Sequence, residues 1–554
     1  SCYCFFLNYA RYKRGAAYAS KKYSDPNAWY NQFYSLVTTK INEEIFKPLF
    51  SEGKKCGRPN ASIRILVAMS ALKEGFGCSD EDLFEKCEFD LLTRKALGME
   101  LLTDVTPSID TYYLFRRRIC EYQERTGIDL MQLCFEQLAG NQVRLLKISG
   151  KCVRMDSKLI GSNIARQSRY ELIHTTLVKF LKTCTLSDLS PEQEERAKEY
   201  LKEDSSKTVY RSDSDTLQSN LARIGNFIME MLATFPATSP AHDLLQRLFD
   251  EQYAVKDGKA VLRDKKEVKA DSLQNPNDPD ATYRAKNDQK VQGYVTNITE
   301  TVEEGKPNII TSVQVETAVF ADCHFLQEAV ENSERVTDST IEDLYADGAY
   351  QSPDNREFAK NHNAMQLKTG KMQGGCRWEL IPHDEDGLTV REIATGNTYE
   401  AVKAVTKQGS RKRWRIPWNN KTGWRYFEDK DIKAYQLRKQ IESLPLEEQH
   451  KRNNVEAAMF QYSFHTRKGK TRYRGLLKHR MHAYSRCMWM NLRRMVIFQI
   501  STFQRSIFAL FGPIREAFGS FKAISRKIFT SGADCYVSLR MTTLARLDSK
   551  YVPF

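Results

Sequence analysis

No CxxC pair occurs anywhere in the chain, although it holds 13 cysteines; Cys2 and Cys4 are the nearest neighbours. A zinc ribbon therefore lacks its ligand spacing. Scattered thiols in a chain of 554 residues point away from a disulfide framework and towards reduced, mostly buried cysteines of a cytosolic protein. No apolar run reaches the length of a membrane span, and "MVIFQI" (495–500) reads as the hydrophobic centre of a helix. "CYCFFLNYA" at the start is too short for a signal peptide and has no basic leader. Acidic residues are missing between Glu456 and Glu516. In the same stretch Arg467, Lys468, Lys470, Arg472, Arg474, Lys478, Arg480, Arg486, Arg493 and Arg494 crowd together. Lys and Arg outnumber Asp and Glu by 84 to 70, a net +14, which favours a polyanionic partner, nucleic acid being the commonest.

What is present divides the chain. Residues 25–143 read as helical. "ASIRILVAMSALKEGF" (61–76) sets Ile63, Leu66, Val67, Met69 and Leu72 at helical spacing. Ser79 with an acidic first turn opens a second helix, and Ser108 caps a third that carries Arg116, Arg117 and Arg118. Two readings stay open for these arginines, a DNA-docking end or the solvated face of a bundle. Strand-like alternation then leads to Asp156, and residues 166–265 form a helical insertion. Residues 271–292 read as a polar loop with two prolines. Strands follow at 293–302 and 308–318, a helix at 323–336, a strand into Asp347, a helix at 353–362 and a strand at 364–368. Turn signals between short β-branched and aromatic runs make 371–430 a small antiparallel β insertion. Its far edge interleaves Arg411, Lys412, Arg413 and Arg415 with Trp414, Trp418 and Trp424. These indoles either stack bases or form the core of the small domain. Helices at 431–500 and a tail at 501–554 complete the chain.

"LYADGAYQSPDN" (344–355) raises the question of chemistry. Asp347-Gly348 turns the chain sharply after a buried strand, and Ser352-Pro353 opens a helix. An Asp-Gly pair is ordinarily only a turn. Partners elsewhere change that reading. The element order gives an α/β fold with a mixed sheet. In it Asp156 closes the first strand, Asp347 closes the fourth, and Glu456 lies in a helix that follows. Two carboxylates at neighbouring strand ends and a third from a helix are expected to converge on one face. Carboxylate oxygens are the ligands Mg²⁺ prefers, and paired ions serve in-line phosphoryl displacement.

"RMDSKLIGSN", "LYADGAY" and "RNNVEAAMF", in that order, resemble the DDE transposases of bacterial insertion sequences, in the IS-four/IS-five-like superfamily, IS-eleven-eighty-two group. "GRPNASIRILVAMSALKEGFGCSDEDLFEKCEFDLLTRKALG" (57–98) and "RGLLKHRMHAYSRCMWMNLRR" (474–494) are similar to that family's helical module and closing helix. The resemblance implies an RNase H-like catalytic core from 144–165 and 266–370, with Asp156, Asp347 and Glu456 as catalytic acids and metal ligands. The implied cofactor is Mg²⁺, two ions, with Mn²⁺ as a substitute. Residues 25–143 become the DNA-end-binding domain, and 431–500 carries the Glu. The partners are terminal inverted repeats and target DNA, bound by a homodimer, in a cytoplasmic, nucleoid-associated setting without a membrane. The expected DNA-binding residues are Arg452 from the family's motif and, from their clustered charge and aromatic neighbours, Arg116, Arg117, Arg118, Arg411, Lys412, Arg413, Trp414, Arg467, Lys468 and Lys470. Arg452 and Glu456 keep the spacing of the family's third motif, while Gln449 stands at its Tyr position and Ser463 at its Lys position. His465, Arg467 or Lys468 are the substitutes nearest in sequence. Two alternatives are a domesticated or inactive DNA-binding protein and a metal-dependent nuclease without strand transfer.

Overall fold

The computed structural model describes residues 20–50, 61–101, 103–237, 239–286, 289–369, 376–383, 387–404, 413–418, 423–443, 445 and 455–517. The N-terminal helices are α1 (Trp29–Leu36), α2 (Ile63–Phe76), α3 (Asp80–Phe89), α4 (Leu91–Leu97), α5 (Ile109–Thr126) and α6 (Leu130–Leu146). Their starts follow local chemistry. Ser79 and Asp82 form a reciprocal capping box on α3, and Ser108 accepts from the Thr111 N–H on α5.

Strand β1 (Cys152–Gly161) is the centre of a six-stranded mixed sheet. Between β1 and the rest of the sheet the chain inserts α7 (Arg169–Leu181), α8 (Pro191–Lys202), α9 (Ser205–Arg211), α10 (Ser214–Thr234) and α11 (Pro240–Gln252). The hairpin β2 (Tyr253–Lys256) and β3 (Lys259–Leu262) closes this insertion. Tyr170, Ile173, Phe227, Leu248 and Tyr253 give it a hydrophobic core of its own. The sheet resumes with β4 (Thr282–Lys286), β5 (Gln289–Thr301) and β6 (Ile310–Thr317), then α12 (Leu326–Thr337), β7 (Asp343–Ala346), α13 (Pro353–Asn361) and β8 (Gln366–Thr369). β5 runs antiparallel to β1, β4 and β6, whereas β1, β7 and β8 are parallel to one another.

Two expectations need correction here. Asp156 does not close β1; the strand runs five residues further to Gly161, because β5 keeps pairing with it as far as Gly293. The supposed polar loop at 271–292 contains β4, which pairs with the N-terminal extension of β5. Strand length is decided by the partner, and the partner was not visible in either stretch.

The β insertion consists of β9 (Trp378–His383), β10 (Gly387–Glu392), β11 (Thr398–Ala404), β12 (Arg413–Trp418) and β13 (Gly423–Glu428), an antiparallel sheet in simple meander order. Helix α14 (Asp429–Glu442) covers one face, joining Trp378, Leu388, Trp414, Ile416 and Phe427 to Ile432 and Tyr435. Then come α15 (Val455–Ser463) and the long α16 (Leu476–Ala517). α16 extends well into the segment expected to be a tail.

The N-terminal helices are not a separate body. One core contains Trp29, Phe33, Val67 and Phe76 from these helices, Trp489 and Met488 from α16, Met459 and Tyr462 from α15, and Ile160 and Ile298 from the sheet. A Cβ placed on Gly75 lies 2.3 Å from the Trp489 indole, so α2 meets α16 where only glycine fits. The opposite sheet face packs Val153, Met155, Leu344 and Ala346 against α12 and α13. A buried ionic triad ties α16 to the sheet, with Arg154 at 2.6 Å and Arg494 at 2.6 Å from the Glu300 carboxylate.

Candidate catalytic acids and nucleic-acid-facing groups

Asp156 and Asp347 are brought level by strand register. In the parallel pair β1–β7, Val153 pairs with Leu344 and Arg154 with Tyr345. Two residues further along the same register stand Asp156 and Asp347, on the same face of the sheet. β7 ends at Ala346, so β1 continues without its parallel neighbour and the two carboxylates share the notch this leaves.

Each acid is held by backbone. Asp347 caps the single helical turn Gly348–Tyr350 and accepts from the Gly348 N–H at 2.7 Å. Asp156 accepts from the Ser157 N–H at 2.8 Å. Tyr350 anchors the turn, its buried hydroxyl donating to Asn297 Oδ1 at 2.6 Å, and Asn297 pairs with Ser157 across β1 and β5. Asn297 in turn donates to Gln314 Oε1 at 2.8 Å. A continuous polar layer thus fixes the Asp347 turn against the strand that carries Asp156.

The electrostatics follow from this crowding. Burial pushes the Asp156 carboxyl up to about 6; the charges of Asp347 and Asp322 add to the rise, and the Ser157 N–H and Lys286 oppose it. Asp322 was missed by the sequence reading. It is buried at the start of a helical turn after β6 and is paired with Arg284 at 3.0 Å and Lys286 at 3.5 Å. Its only sequence signal is an acid just after a strand, which is shared by many turns.

Glu456 lies in the first turn of α15 and is exposed. α15 crosses the β1 face that bears Asp156, with Tyr462 Oη 3.1 Å from Thr296 Oγ1. Among the described residues no three His, Cys, Asp or Glu side chains stand close enough together to hold a metal ion. The structure therefore brings two of the three acids together, and Glu456 stands off at the helix start. The two-carboxylate notch suits a divalent cation by its donor chemistry and by the repulsion between its charges.

The basic residues sort differently from expectation. Arg116 does not face outward; it is largely buried between the Tyr112 and Tyr473 rings, 5.5 and 5.1 Å away, with Asp80 at 3.9 Å. Arg117 is exposed beside Glu121, and Arg118 lies over the Phe50 ring. Arg467 and Lys468 are exposed on a tight turn in which Lys468 and Gly469 have φ of 53° and 72°. Lys470 is turned inward, donating to the Ile164 carbonyl at 2.6 Å, and the His465 ring is 3.1 Å from the Gly75 carbonyl.

In the β insertion Trp414 is 3% exposed and belongs to the core, which removes it as a stacking surface. Residues 413 and 415 alternate to the other face. There Arg413 lies over Tyr426 at 3.9 Å and Arg415 over Trp424 at 4.2 Å, and Trp424 is 50% exposed. Arg411, Lys412 and Arg452 lie outside the described residues, as does the Trp418 side chain.

Residues 20–118 match the family model described as Transposase domain (DUF772). That match supports a transposase, with DNA as its partner. No curated protein and no solved structure gives a match. Among the described residues no helix is long and apolar enough to cross a membrane.

Proposed function

We propose that the chain is a DDE transposase of the IS-four/IS-five-like kind, IS-eleven-eighty-two group, with an RNase H-like core. The observation that carries this reading is the level placement of Asp156 on β1 and Asp347 just past the neighbouring parallel strand β7, in a chain whose N-terminal part matches a transposase domain. Four strands paired antiparallel through β5 and two more running parallel to β1, with the acids on β1 and after β7, agree with it.

Asp156 and Asp347 hold Mg²⁺ in this reading, Glu456 completes the ligand set from α15, and Mn²⁺ substitutes. When bound, the ions supply positive charge to the phosphoryl transition state of DNA cleavage and strand transfer. The chain's own contributions are positional. The Tyr350–Asn297 layer holds the Asp347 turn. Arg467 and Lys468 grip backbone phosphates, and the Arg413–Tyr426 and Arg415–Trp424 stacks give the β insertion a cationic, aromatic face towards DNA. The chain acts as a homodimer on its terminal repeats.

The test is incubation of the full chain with Mg²⁺ and a duplex carrying the repeat that borders its coding region. Cut and joined DNA is the expected product. Cutting without joining identifies a nuclease instead, and binding without cutting identifies a DNA-binding protein.

A further inference from the structure

Lys158 is an unused cation beside the acid pair. Side chains two apart on a strand share a face, so Lys158 follows Asp156 on the face crossed by α15, about 7 Å further along β1. Its ammonium donates to Ser463 Oγ at 2.7 Å and lies 3.5 Å from the Met459 carbonyl. Both acceptors are neutral and both come from the end of α15. Among the described residues no carboxylate stands within ion-pair distance of it, and the side chain is half-buried.

A half-buried ammonium with neutral acceptors only is an incomplete arrangement. It has three donors, and desolvation of its charge is unfavourable until an anion joins it. Ser463 is also seven residues after Glu456, two helical turns, so both lie along one side of α15. Lys158 therefore lies next to Asp156 on its face of β1, against the end of the helix whose first turn carries Glu456.

We propose that Lys158 binds a backbone phosphate of the DNA strand being cut, next to the scissile one, and sets that strand's register over Asp156 and Asp347. This rests on the transposase reading for the identity of the strand, and on the Lys158 surroundings alone for the phosphate contact. Ser463 and the Met459 carbonyl orient the ammonium; the phosphate supplies its missing countercharge.

The contact is tested by binding, without cleavage, in Ca²⁺. Terminal-repeat duplexes are prepared with a neutral methylphosphonate at one position at a time. The unaltered chain is expected to lose about tenfold in affinity at one phosphate adjacent to the cut, the effect of one charged contact. Lys158→Gln, which keeps a donor for Ser463, is expected to lose the same factor on unmodified DNA and nothing further at that position. Its slope of log affinity against log salt should fall by about 0.9. Lys158→Arg should restore the position-specific response. Lys158→Met, which keeps the length of the stem and removes the charge, serves as a second variant if Lys158→Gln fails to fold. It should lose the position-specific response, and a folded Lys158→Met protein that keeps it would overturn the assignment. A folded Lys158→Gln protein with the unaltered methylphosphonate pattern overturns the proposal. Failure of the unaltered chain to cut in Mg²⁺ tells against the catalytic reading instead, and leaves the binding comparison intact.

Discussion

Asp156 on β1 and Asp347, the first residue past the parallel strand β7, lie level at the place where β7 stops and β1 runs on. Their repulsion and partial burial oppose folding, and together they make the site that a cation would stabilise. The burial and the register share one origin, since the same pairing that orders the sheet sets the acids side by side.

The first consequence is a stability change of unusual sign. The Asp156 carboxyl is raised to about 6 in the folded chain, above its ordinary value of 3.8. Between these values the folded state binds more protons, so the contribution to stability falls as pH rises from about 4 to 6 and stays low above that. Asp156→Asn is therefore expected to raise stability at pH 7.5 without divalent metal, by up to about 3 kcal/mol, and to give no gain near pH 4. Thermal unfolding at the two pH values checks it.

Binding of the metal by the free chain should carry the same titration. Below about pH 6 an ion must displace the Asp156 proton, so Mn²⁺ affinity should fall about tenfold per pH unit and level off above. Mn²⁺ titrations of the DNA-free chain across this range measure the effect, and an affinity flat from pH 4.5 to pH 7 would contradict it.

Tyr350→Phe removes the hydroxyl that donates to Asn297 and leaves a buried acceptor without its partner. The expected loss is about 1–3 kcal/mol of stability in urea unfolding. DNA binding should be unchanged and cleavage slower, because the turn carrying Asp347 is loosened while the basic surfaces are untouched.

The two tryptophans of the β insertion should separate cleanly. Trp414→Ala opens a cavity in the core and is expected to cost about 3–5 kcal/mol. Trp424→Ala leaves that core whole and should weaken DNA binding by about 1–3 kcal/mol. Circular dichroism and fluorescence anisotropy distinguish the two outcomes.

Legibility in the sequence followed the range of the interactions involved. The Asp347 turn and the Ser352-capped helix after it were readable because cap, proline and glycine act within a few residues. The alternation of β12 was readable too, but not which side was covered, since that depends on α14. Arg116 looked like an exposed docking group because its partner Tyr473 is remote in the chain. The full length of β1 and the presence of β4 were hidden because each depends on β5. Lys158 was passed over for the same reason: its meaning comes from Ser463, on a helix that only the fold brings near.

The central claim is that Asp156, Asp347 and Glu456 form one metal site on bound DNA. Anomalous scattering from crystals of the chain with its terminal repeat and Mn²⁺ tests it most directly. The expected result is a peak bridging Asp156 and Asp347, with the Glu456 carboxylate turned towards it from α15. A DNA complex with Mn²⁺ bound elsewhere, and none between the two aspartates, would contradict the account.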